Sequence, residues 1–168
     1  MLGPFPTVKL LSREPGRLVF RLSKRDHEAL LTTLRLRPLF PRRPRSIASD
    51  AEADQNLRAA QQDLDAALEQ HRTEQVSAME TLINDEARCA VQPGSGWRLI
   101  LNDTDAEMLL QALNEIRVGS WEKLGAPDFE AGQHLELDQE NFLALWAFQL
   151  SEMFQGTLLA AMTGENEE

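Results

Sequence analysis

Residues 50–89 run for forty positions without a glycine or a proline, and no other feature of the chain narrows its folding choices as much. A stretch so rich in Ala, Leu, Glu and Gln predicts one long helix. Leu57, Ala60, Leu64, Ala67, Leu68, His71, Met79, Leu82 and Ile83 recur in it at steps of three and four. Gln75 and the two alanines keep that apolar stripe thin. At ~1.5 Å per residue such a helix would exceed ~40 Å, more than a domain of this size is wide. Part of it is therefore expected to project and pair with another chain, a homodimer through the long helix being one such arrangement.

The flanking segments supply the rest of the fold. A hairpin is expected over residues 5–22, with strands at 8–11 and 18–22 joined by a turn in which Pro15 and Gly16 set the special dihedrals. Leu18, Phe20 and Leu22 share one face of the second strand, and Arg17, Val19 and Arg21 the other. Ser23 is a good N-cap with Asp26 three positions on, so a helix over 23–36 follows, with Leu30, Leu31 and Leu34 as its stripe until Pro38 ends the pattern. Residues 37–49 read as a basic, proline-rich linker. Residues 92–96 stop the long helix and lead into a strand at 97–101, where Trp97, Leu99 and Leu101 alternate with Arg98 and Ile100. Asn102 or Thr104 then caps a helix ending at Leu124 and Gly125. Asp138 caps the last one, whose apolar face runs through Leu143, Trp146, Leu150, Met153, Phe154, Leu158 and Met162 to Gly164, before a tail at 164–168 expected to fray. The expected fold is α+β and predominantly helical. It is a single domain over 1–168, with a small antiparallel or mixed three-stranded sheet and a bundle of about four helices.

An internal repeat supports two similar units. Leu22, Ser23, Asp26, Glu28, Leu30, Leu31 and Leu34 match Leu101, Asn102, Asp105, Glu107, Leu109, Leu110 and Leu113 in spacing, and Leu18 and Phe20 match Trp97 and Leu99. Two origins fit this pattern. Either the chain is a duplication, or any strand running into a capped helix uses the same residues, since acids suit helix N-termini. Both predict a shared sheet with helices on one side.

Charge is divided along the chain. Residues 1–45 carry 11 Lys and Arg against 3 acids, whereas the remainder carries 6 against 24. An acidic protein is repelled by phosphate backbones and membrane surfaces, so contact with either would be local to the basic part. Five arginines cluster there: Arg35, Arg37, Arg42, Arg43 and Arg45. They are candidate contacts for a partner or for nucleic acid through counterion release. Phe40 is the only aromatic among them, which argues against specific base readout. One cysteine, Cys89, precludes an internal disulfide, and with no apolar run of ~20 residues the chain is expected in the cytoplasm, away from the membrane.

No motif for catalysis, metal or cofactor emerges. His27, His71 and His134 fall in separate elements, and a divalent site needs three or four ligands. Cys89, expected at the C-terminal end of an acidic helix, would have its thiol pKa raised by the helix dipole and so serve packing. Asp103 and Asp105 lack the Gly and closing Glu of a calcium loop and read as capping residues. Asn114 and Arg117, one helical turn apart, are a candidate polar pair. Together they could bind a carboxylate or phosphate, or hold a neighbouring acid such as Asp128 or Glu130.

Ala112-Leu113-Asn114-x-x-Arg117 with Leu124-Gly125, and Trp146 with Gln149 on the last helix, resemble the bacterial domain-of-unknown-function family two-thousand-seventeen, best represented in actinobacteria. The order of hairpin, leucine helix, proline-bearing linker and long helix is similar too. The resemblance implies a non-catalytic, cytoplasmic, regulatory protein without an established substrate or cofactor.

Taken together, the sequence points first to a non-enzymatic interaction or regulatory module. Its long helix, and a groove between the last two helices anchored by Trp121, Trp146 and Phe154, would receive a partner helix. A transcription-associated regulator using the arginine segment on DNA or a polymerase component is the second reading. An enzyme of unrecognised type is the third, and would need convergent polar residues in a pocket.

Overall fold

A computed structural model describes residues 8–37, 55–94, 96–128 and 138–165. Strands β1 (Lys9–Glu14) and β2 (Arg17–Leu22) form the first hairpin, followed by helices α1 (Lys24–Arg35) and α2 (Gln55–Asn84). Strands β3 (Cys89–Val91) and β4 (Trp97–Leu101) form a second hairpin, followed by α3 (Asp103–Lys123) and α4 (Gln139–Thr163). The fold is α+β and predominantly helical, as expected, but the sheet has four strands, all antiparallel, in the order β1-β2-β4-β3.

The additional strand is β3, and it corrects the expectation that the long helix reaches Cys89. The helix stops at Asn84 because the Asp85 side chain accepts hydrogen bonds from the backbone N–H of Ala87 and from Arg88 Nε, both at 2.9 Å. A short acidic side chain that bonds its own backbone two residues on closes a turn in place of a further helical turn. Cys89 thus pairs opposite Leu99 in the sheet and is buried. Gly96 closes the second hairpin at φ +131, and a Cβ there would sit 2.7 Å from the Leu22 carbonyl oxygen, so only glycine fits.

The starts of α1, α3 and α4 follow the sequence closely, while the expected start of the long helix at residue 50 lies outside the described residues. Ser23 and Asp26 form a reciprocal capping box on α1, and Asn102 and Asp105 form the same box on α3. The α1 and α3 boundaries, the Asp138 cap and the left-handed Gly164 are where they were expected. On the sheet, Leu18, Phe20, Leu22, Leu99, Leu101 and Cys89 turn to one face and pack against Leu30, Met79, Leu82, Leu109, Leu113, Phe154 and Leu158. This is the principal core. A second cluster joins Leu36, Ile116, Leu124, Ala144 and Ala147.

Leu10 lies opposite Phe20, Phe20 opposite Leu99, and Leu99 opposite Cys89. Leu10 and Cys89 are 79 residues apart, as are Phe20 and Leu99. The sheet therefore has an approximate two-fold axis between its middle strands, and the chain is two ββαα units joined edge to edge. Common capping residues explain two similar helix starts, but they do not set sheet register. The repeat thus extends from local spacing to the arrangement of the whole chain.

Candidate functional site

The long helix divides into two halves with different surroundings. Its C-terminal half touches the body along α3 and β3, burying Gln75, Met79 and Leu82. A polar cluster fastens it there. Arg37 donates through Nε to Glu115 at 2.8 Å and through Nη2 to the Gln75 side-chain oxygen. The Gln75 amide nitrogen lies 2.6 Å from the Gln111 oxygen and 2.9 Å from His71 Nε2. Every polar atom of the Gln75 side chain is thereby matched, which is what permits an amide in a buried seam.

This cluster corrects the reading of Arg37 as a linker residue open to nucleic acid. Its side chain is 8% exposed and its guanidinium is committed to Glu115 and Gln75. Arg35 is exposed at the end of α1. Arg42, Arg43 and Arg45 lie outside the described residues, as do His134 and Glu130. Asn114 and Arg117 do come together, with Arg117 Nη2 donating to Asn114 Oδ1 at 3.2 Å, and Gln155 of α4 donating to the same oxygen at 3.4 Å. The pair therefore sits at the α3–α4 seam, half-buried. The groove expected between α3 and α4 is filled by their direct packing. Phe154 is core, Trp146 packs against it, and Trp121 is partly exposed with its indole N–H on the Pro127 carbonyl.

The N-terminal half of α2 differs from every other helical segment described. From residue 55 to residue 70 all side chains are exposed except that of Gln61, which is half-buried. Leu57, Leu64 and Leu68 are 45%, 41% and 38% exposed. Three leucines on one stripe of a helix, open to water, are not the random scatter of apolar residues found on any surface. Below them lies a groove of about 310 Å³ lined by Leu31 and Leu34 of α1 and by Val76, Met79 and Ile83 of α2.

No family model, curated protein or solved structure matches this chain. The molecule's own chemistry must carry the reading. Among the described residues, no helix is long and apolar enough to cross a membrane. No three His, Cys, Asp or Glu side chains among them converge on a common point.

One further constellation draws on residues that sequence placed far apart. His27 stacks on Trp97 with ring centroids 3.7 Å apart and planes 5° from parallel, and its Nε2 lies 3.7 Å from Cys89 Sγ. Burial pushes the Cys89 thiol up and the His27 imidazolium down, the latter partly offset by Glu28. Each group is thus held neutral, the reverse of an activated thiolate–imidazolium pair. The thiol is raised as expected, but by desolvation instead of a helix dipole, because Cys89 is on a strand. Sequence reasoning also missed the roles of Gln75, Gln111 and Glu115. A Gln at a seam position of an otherwise apolar stripe was the available signal, since buried amides recruit polar partners.

Proposed function

We propose that this protein is a non-enzymatic interaction or regulatory module of the cytoplasm, and that its recognition element is the N-terminal half of α2. The observation that carries this reading is the exposed series Leu57, Leu64 and Leu68 on a helix whose other half is fastened to the fold. An amphipathic helix held rigid by its own domain loses little entropy when it receives a second helix, so a short apolar stripe suffices for recognition. The protonated, buried Cys89 and the inward-turned Arg37 support the non-catalytic part of the reading. The family resemblance implies the same kind of protein, and we propose that kinship as well.

The test is affinity capture from the source organism's lysate with the native chain and with Leu57, Leu64 and Leu68 all changed to Gln. Gln keeps helix propensity while removing the apolar stripe. The native chain is expected to retain a defined protein that the variant loses, with or without nuclease. Equal recovery by both chains contradicts the reading.

A further inference from the structure

The two-fold relation between the ββαα units shows an α2-like helix that is covered at the position of Leu68. The shift of 79 residues that relates the sheets also places Asn84, the last residue of α2, on Thr163, the last of α4. It sets Leu68 on Ala147, Gln75 on Phe154 and Leu82 on Ala161. In α4 these three positions are buried, Ala147 in one cluster with Ile116 and Leu124 at the end of α3, whereas Leu143, which matches Leu64, is 37% exposed. Among the described residues Leu68 has no such cover, α1 being 12 residues long where α3 has 21. The positions that would match residues 117, 120 and 123 of α3 hold Pro38, Pro41 and Pro44, which lie outside the described residues.

We infer that a second copy of this chain supplies the missing cover, its own α2 lying antiparallel on residues 55–70. This rests on the interaction-module reading and names the partner. Leu57, Gln61, Leu64 and Leu68 follow at alternating steps of four and three, and the series runs on to the buried Gln75 and Leu82. An average step of 3.5 residues is the repeat that keeps a seam facing another helix in a left-handed coil.

Orientation follows from that continuity. The seam that faces the partner also faces α3 further along, so a parallel partner would run into α3 at His71 to Gln75. In an antiparallel pair the described part of the partner's α2, which begins at Gln55, lies along residues 55–70 and not along α3. In the register that sets Leu57 against the partner's Leu68 and Gln61 against the partner's Leu64, residue 55 of each chain lies opposite residue 70 of the other. The flanks then match. Arg58 falls beside the partner's Asp65 on one side, twice by symmetry, and Ala60 meets the partner's Ala67 on the other, small enough for close approach. Sliding by one heptad toward the body would set Arg58 against the partner's Arg72 and Asp65 against its own copy, both repulsive.

Sedimentation velocity on the full chain across the micromolar range tests the pairing, because two heptads a side make a small interface. The native chain is expected to dimerise. Leu64→Glu with Leu68→Glu should be monomeric with unchanged helix content, as both side chains are exposed. Arg58→Glu and Asp65→Arg should each raise the dissociation constant about tenfold, and the double variant should restore it. For orientation, mild oxidation of Ala60→Cys mixed with Ala67→Cys is expected to cross-link the mixture and neither chain alone, with Cys89 buried and out of the reaction. Self-linking of Ala60→Cys means an antiparallel pair one heptad off and overturns the register, and a mixture that does not cross-link overturns the antiparallel orientation. A native chain that stays monomeric overturns the second copy altogether. If that monomer still loses its lysate partner in the Leu57, Leu64, Leu68 variant, the interaction-module reading survives alone.

Discussion

His27 gives the molecule a pH dependence whose sign the structure determines. Its imidazole is buried against Trp97 and Cys89, and desolvation lowers its pKa from the ordinary 6.5. The unfolded chain therefore takes up a proton before the folded one does. Stability is full above that ordinary value and falls as the pH drops through it toward the lower folded value. Urea unfolding of the native chain and of His27→Gln at several pH values between about 7.5 and 5 should show a steeper loss in the native chain. Equal slopes would contradict the buried neutral imidazole. Cys89 makes a parallel prediction: with its thiol buried and its pKa raised, a thiol reagent should label it only at the rate of unfolding. None of the stack was legible in the sequence. His27, Cys89 and Trp97 lie in different elements, and the register of a sheet that sequence showed only in part brings them together.

Element by element, local chemistry reads differently at helix starts and at helix ends. Both capping boxes were legible because a cap involves residues three apart, whose geometry the backbone settles without help. Asp105 carries an extra duty that spacing did not reveal. It receives Arg88 Nη1 at 2.9 and 3.1 Å and so ties the α2–β3 turn to the start of α3. Asp105→Ala should therefore destabilise by about 2–4 kcal/mol, cap and ion pair together, against about 1 kcal/mol for Ser23→Ala at the equivalent cap of α1. Denaturant midpoints compare them directly. Gly96→Ala, forced into the Leu22 carbonyl oxygen, should lose about 2 kcal/mol or more. The end of α2 was misplaced because Asp85 reads as one more helix-tolerant acid until its side chain is seen to bond Ala87 and Arg88. A strand of three residues then shows no alternation to detect.

At the scale of the whole molecule, the polar cluster at Arg37 is the joint by which the long helix is attached. Arg37→Met would leave Glu115 and Gln75 short of a partner in a largely buried place. Breaking such a pair from one side is expected to cost about 3 kcal/mol. Hydrogen exchange should accelerate through residues 71–84 while the β2–β4 pairing keeps its protection; uniform acceleration would mean that the joint serves the entire core. The sequence by itself determined the starts of α1, α3 and α4, the apolar faces, the predominance of helix and the repeated strand-to-helix unit. Each depends on residues within one or two turns of one another, where periodicity and capping act locally. Only the tertiary structure decided that Arg37 turns inward, that Cys89 is a strand residue beside His27, and that the exposed stripe occupies one half of α2. Those outcomes depend on which distant segments meet. Among the described residues the short α1 leaves Leu68 uncovered where the longer α3 covers the matching Ala147, and no local pattern carries that comparison.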